Sequence, residues 1–203
     1  MCPPPADAVT GGDQPPGWRQ LERLIRADAG LMAQLQAVRR LAPITAWVGA
    51  GAVRNVVWNA LFPASAQHPP RDVDVVYFDA QRLDGAHDAA LQQQLLRWLP
   101  GVPWEVMNQA RVHLWFEAEF GHAVAPLRSM AEAVASWPEY ATAVAVRLDE
   151  QERLHLIAPW GLDDLLQCVV RRNPTRVSVA TYRQRVQSKA YAAHWPGVTV
   201  VPA

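Results

Sequence analysis

Residues 71–79 read RDVDVVYFD, and the reading of this run decides the fold. Charge alternates with valine at its start and gives way to a continuous apolar stretch, the pattern of a β-strand with a wet beginning. Successive strand side chains point to opposite faces, so Asp72 and Asp74 project together while Val73, Val75 and Tyr77 take the other side. Two carboxylates held side by side repel unless a cation, a proton or a basic group lies between them. A hard divalent ion such as Mg²⁺ suits an oxygen pair of this kind, with phosphate and water completing its shell. Charges at the start of an edge strand also discourage aggregation, and for D-x-D in isolation that plainer reading is the better one.

The upstream context tips the balance toward a site. ITAWVGAG (44–51) has the pattern of a short buried strand ending in glycines. AVRNVVWNALFP follows as an amphipathic helix, with Val53, Val56, Val57, Ala60 and Leu61 on one face and Pro63 as its stop. A helix N-terminus after a glycine turn offers free N–H groups and a positive dipole end to an anion. Gly49 and Gly51 serve equally well as turn residues that pack a helix on a sheet. Arg54 and Asn55 fall outside the apolar face. The loop SAQHPP separates this helix from RDVDVV, so the aspartate pair begins its strand.

The other elements read as a mixture. A helical spacing runs from Trp18 to about Leu41 with a break near Gly30, HDAALQQQLLRWLPG is a helix closed by Pro100-Gly101, and VPWEVMN is a second strand. QARVHLWFEAEFG alternates like a strand, yet its length and lack of Pro favour a helix ending at Gly121. SMAEAVASWP opens with Ser129 and Glu132 at capping-box spacing, a short helix. TAVAVRLDEQERLHLIA is a hairpin about Asp149-Glu150-Gln151, GLDDLLQCVVRR a helix, and a last helix covers about Ala180–Ala193. No repeat is visible, and strands and helices mix without regular βαβ alternation, which gives the α+β class. Residues 1–17 carry five Pro and three Gly and read as a disordered tail before one domain over 18–203, with a C-terminal helical part at about 160–196.

Composition narrows the function classes. Lys+Arg and Asp+Glu are equal at 19 each, so no overall field advertises nucleic acid or membrane as a partner. Cys2 and Cys168 form neither a disulfide framework nor a zinc motif, and no secretory leader or membrane span is visible; a soluble, cytoplasmic protein is expected. Asn108, Gln109, Arg111 and His113 cluster after the second strand, where they suit contacts to base, ribose or phosphate. Arg171, Arg172, Arg183, Arg185 and Lys189 form a candidate basic wall, the plain alternative being a solvated helix face. Most Trp read as core. Asp163-Asp164 is accounted for as helix-start carboxylates.

WVGAGAVRNVVWNALF followed by RDVDVV resembles the signature of the DNA polymerase β-like nucleotidyltransferase superfamily: a glycine turn, a helix, then Asp-x-Asp on the next strand. The turn is similar to the Gly-Gly-x-Val-Arg-Asp turn of CCA-adding enzymes. Together with DVDVVYFD, WEVMNQARVH, WPEYATAVAVRL and APWGLDDLL, it resembles a bacterial nucleotidyltransferase-like family over roughly residues 30–196. The resemblance implies a small mixed sheet flanked by helices with further C-terminal helices. It also implies that Asp72 and Asp74 are metal carboxylates and that a third carboxylate comes from a neighbouring strand. Glu105 is the candidate for that third group, with an ordinary exposed strand residue as its plain alternative; Asp79 lies too far along. Gly49, Ala50, Gly51, Arg54 and Asn55 fall in the nucleotide-binding turn, with Asn108 and Arg111 as further nucleotide contacts. Ala50 stands where the family has glycine and Asn55 where the CCA-type turn has Asp.

The expected activity is transfer of a nucleoside monophosphate from an NTP to an acceptor hydroxyl, with Mg²⁺ or Mn²⁺ as cofactor and RNA, protein or a small molecule as acceptor. The alternative, motivated by Ala50 and Asn55, is a nucleotidyltransferase fold that binds nucleotide or a partner without catalysis.

Overall fold

The computed structural model describes residues 15–65 and 67–203. Most of the expected tail, residues 1–14, lies outside the described residues, and Pro15–Gly17 form the turn into the first helix. Helices α1 (Trp18–Ala27) and α2 (Ala29–Arg39) meet at Asp28, which closes the first and caps the second by accepting from Leu31 N at 2.7 Å. The break therefore falls two residues before Gly30, because Asp28 takes an extended backbone and its carboxylate caps the start of a new helix there. Then come β1 (Trp47–Gly49), α3 (Ala50–Leu61), β2 (Val73–Tyr77), α4 (Gly85–Trp98) and β3 (Trp104–Asn108). A 3₁₀ segment (Gln109–Leu114), α5 (Phe116–Phe120) and α6 (Met130–Ala135) lead to the hairpin β4 (Ala145–Leu148) and β5 (Leu154–Ile157). The chain closes with α7 (Asp163–Leu166), β6 (Val169–Val170), α8 (Val179–Lys189), α9 (Tyr191–His194) and β7 (Thr199–Val200).

The main sheet has the order β3-β2-β1-β4-β5, with β2 and β3 parallel and the other pairs antiparallel. A mixed α+β sheet of this kind matches the expected class. Val73, Val75 and Tyr77 are buried against the helical layer that includes α1, α2, α3 and α4. Burying a side chain of that size stabilises by roughly 1.5–3 kcal/mol, and a one-residue slip would drive Asp72 and Asp74 into that layer instead. The register is thus fixed by the valines, and the carboxylates are held on the opposite face. That face is covered by α6 near Trp47, Val76 and Ile157 and is otherwise hollow.

Two expected helices are reorganised. GLDDLLQCVVRR is helical only over α7, because Cys168 takes a left-handed φ of 57° and turns the chain into β6, which pairs with β7. The last helix breaks at Ala190, whose φ is 46°, into α8 and α9. The segment after β3 winds first as 3₁₀ and then as α5, ending at a left-handed Gly121 as expected.

Candidate active site

Asp72 immediately precedes β2, and its backbone neighbour Val73 is anchored by N–H donation to Pro103 O at 2.8 Å. The loop that delivers it is clamped by α3: Asn55 Nδ2 and Asn59 Nδ2 both donate to His68 O, at 2.8 and 3.2 Å, and His68 N donates back to Asn59 Oδ1. In the parallel register Asp74 lies directly beside Glu105. Asp72 just before β2, Asp74 and Val76 from β2, and Glu105, Met107 and Gln109 from and just beyond β3, line one face of a cavity of about 310 Å³. This is the period-two alternation of two adjacent strands.

The electrostatics single out Asp74. Burial, then the charges of Asp72 and Glu105, push the Asp74 carboxyl up to about 7, against the opposing pull of Lys189 and Arg185. Among the described residues no three His, Cys, Asp or Glu groups close on a common point as a ready-made cage. A magnesium-type site built from one or two carboxylates, water and substrate phosphate needs no such cage. A partly buried Asp74 crowded by two further carboxylates is the donor set that such an ion neutralises, so the residues fit it.

The turn at the head of α3 shows how the departure from the glycine pattern is accommodated. Ala50 has a φ of 50°, the left-handed conformation that favours glycine, so the strain of a methyl group is carried there. Gly51 is open: a Cβ there would sit 3.8 Å from Arg54 Nη2 and 4.0 Å from Asp72 Oδ1. No side chain caps the start of α3, which faces the cavity at Ala50 and Gly51. Gly49 has a different task. A Cβ on it would lie 2.5 Å from the ring of Trp137, so its bareness seats that indole rather than a phosphate.

Arg54 and Asn55 are buried, at 7% and 4% exposure, because α3 is enclosed on nearly all sides and its polar residues face protein as well as cavity. Arg54 lines the cavity, donating Nε and Nη2 to Asn55 Oδ1 at 3.1 and 2.6 Å, amid the rings of Trp58, Tyr191 and Trp195. Asn55 is thus a brace for Arg54 and for the loop before Asp72. A second cavity of about 240 Å³ shares Gly51, Arg54, Asp72 and Lys189 with the first and adds Arg71 and the stacked pair His68 and His194. Partial burial, followed by the nearby His68, Arg71 and Arg54, holds His194 below the usual histidine range. The second cavity is the basic side of the site.

Two expected nucleotide contacts lie elsewhere. Asn108 is fully buried: its Oδ1 accepts from the N–H groups of Asp79 and Ala110, and its Nδ2 donates to the carbonyls of Asp79 and Arg82. All of its side-chain hydrogen-bonding capacity is used in shaping the turn after β2 and β3. Arg111 donates to the buried Asp88 Oδ2 at 2.9 Å, while Tyr77 Oη and Asn108 N donate to Asp88 Oδ1. It neutralises a buried carboxylate behind the sheet. Of the expected basic wall, Arg185 and Lys189 line the cavity, while Arg171 pairs with Asp164, Arg172 donates to Val177 O and Arg183 is exposed. Arg185 is held by a two-pronged pair to Glu139, which is 1% exposed, at 2.7 and 3.1 Å. Glu139, Trp137 and Arg176 contribute to the site without a sequence signal, since isolated residues in loop segments carry no period or spacing.

The mixed sheet flanked by helices is the fold of a nucleotidyltransferase. The chain belongs to the nucleotidyltransferase family whose model matches residues 36–200. A solution structure described as revealing a CCA-adding enzyme head domain aligns with a TM-score of 0.74 at 27% identity, covering 97% of this chain and all of that one. The Thermotoga maritima CCA-adding enzyme complexed with tRNA aligns at 0.56 and 14% identity over 90% of this chain, and a CCA-adding enzyme with CTP at 0.56 and 13% over 89%. The chain spans 42% of the length of each of these two enzymes, and at that identity they share its fold. No curated protein matches the sequence significantly.

Proposed function

We propose that this protein transfers a nucleoside monophosphate from an NTP to an acceptor hydroxyl, with Asp72, Asp74 and Glu105 holding divalent metal, Mg²⁺ or Mn²⁺. The observation that carries this reading is the alignment of Asp74 with Glu105 across β2 and β3, close to Asp72, at the junction of an apolar and a basic cavity. The relatives with CTP, ATP and tRNA bind the substrates that such a site serves. The α-phosphate lies at the carboxylates, and the outer phosphates extend toward Arg54, Arg71 and Lys189, whose charge offsets theirs. The acceptor oxygen bonds to the α-phosphorus as the bond to the β-phosphate oxygen breaks, and pyrophosphate leaves on the basic side. Glu105, the exposed carboxylate, takes the hydroxyl proton. Bound metal supplies charge neutralisation of the phosphates and of the three carboxylates.

Calorimetric titration with a non-hydrolysable NTP tests the site. Binding at least about tenfold tighter with Mg²⁺ than without, and loss of that gain in Asp72→Asn, is the expected result. Nucleotide affinity indifferent to metal would overturn it.

A further inference from the structure

The phosphates and carboxylates account for one end of the larger cavity. The other end is walled by Met107, Val112, Trp115, Phe116, Phe120 and Trp137, an apolar and largely aromatic surface with the Arg176 guanidinium set over the Phe116 ring. A neutral polar side chain stands in that wall with half of its capacity unspent. Gln109 is only 6% exposed, and its Oε1 accepts from Trp137 Nε1 in a long bond of 3.4 Å. An indole N–H donates only, so it sets the amide orientation and leaves the Nε2 hydrogens without a partner among the described residues. Trp137 in turn is seated by the bareness of Gly49. A chain of contacts thus runs from Gly49 through an indole to one amide donor.

We propose that this aromatic end is the subsite for the nucleobase of the donor nucleotide, and that Gln109 reads the base as a hydrogen-bond donor, selecting an edge that presents a carbonyl oxygen or ring nitrogen. The inference rests on the nucleotidyltransferase reading of the carboxylate end. Reach supports the base of the same molecule rather than a second ligand: the lining passes from Glu105 to Gln109 in four residues, no more than about 13 Å. A ribose and base attached to a phosphate at Asp74 span that distance. Aromatic walls take the faces of such rings by stacking, and the amide reads the rim.

The test compares the four NTPs with inorganic tripolyphosphate, each titrated into the full chain with Mg²⁺, for wild type, Gln109→Met and Phe120→Ala. Phe120 is 40% exposed, so its truncation leaves the core intact, and thermal melting of each variant verifies folding. At least one NTP is expected to bind about tenfold or more tighter than tripolyphosphate. Phe120→Ala should narrow that gap for all four bases, and Gln109→Met should narrow it and flatten the ranking among them, with tripolyphosphate affinity unchanged in both. NTPs binding no tighter than tripolyphosphate, or variants weakening both ligands equally, would overturn the base subsite while leaving the phosphate end standing. Failure of every ligand to bind would overturn both readings together.

Discussion

Asp74 is the carboxyl group on which the sheet and the charges around it act most strongly. Its ordinary value of 3.8 is raised to about 7 by burial and by the charges of Asp72 and Glu105. Between those two values the folded chain keeps a proton that the unfolded chain has lost, so metal-free stability falls as pH rises through that window. The loss amounts to a few kcal/mol at most, since each tenfold difference in proton affinity between the two states is worth about 1.4 kcal/mol. Urea melts between pH 4 and 8 should show this slope, and Asp74→Asn should remove it and raise metal-free stability at pH 8. A slope unchanged in Asp74→Asn would place the strain elsewhere. The pair was legible in the sequence because a strand has a strict period of two, and two aspartates flanking a buried valine have one possible placement. Asn108 and Arg111 were not legible in the same way. Their chemistry suits phosphate, but what they face depends on Asp79, Arg82 and Asp88, which are brought near only by the fold.

At the level of elements, the site is held from behind. α3 carries Arg54, Asn55 and Asn59, of which the two asparagines fix the loop before Asp72, while Asp88 on α4 ties Tyr77 of β2 to Arg111 beyond β3. Removing the charge that neutralises a buried carboxylate costs about 3 kcal/mol or more. Arg111→Met should therefore lower the melting temperature by several degrees while leaving nucleotide affinity of the folded protein unchanged; a selective loss of nucleotide affinity at unchanged stability would return Arg111 to the site. The long elements α3, α4, β2 and β3 were readable from period and stop signals. The short C-terminal ones were not, because Cys168 and Ala190 adopt left-handed φ values that their residue types disfavour, and tertiary packing imposes them. Ala50 is the same case within the signature itself: the glycine pattern is broken in sequence but kept in backbone shape.

At the scale of the molecule, one face of a mixed sheet is covered by helices and the other is partly hollow, with Asp72, Asp74 and Glu105 at the junction of a basic and an aromatic cavity. Among the described residues no helix is long and apolar enough to cross a membrane. Membership of a nucleotidyltransferase family and the match to a CCA-adding enzyme head domain give the class, and the acceptor is what transfer itself will identify. The most direct measurement incubates the purified chain with α-labelled NTPs, Mg²⁺ or Mn²⁺ and a cell lysate as acceptor source, following label on acceptor and release of pyrophosphate. Label transfer is expected from the wild type and should be abolished when Asp72→Asn and Asp74→Asn are combined in a variant that still folds. Transfer at the wild-type rate by that double variant would contradict the assignment of the carboxylates.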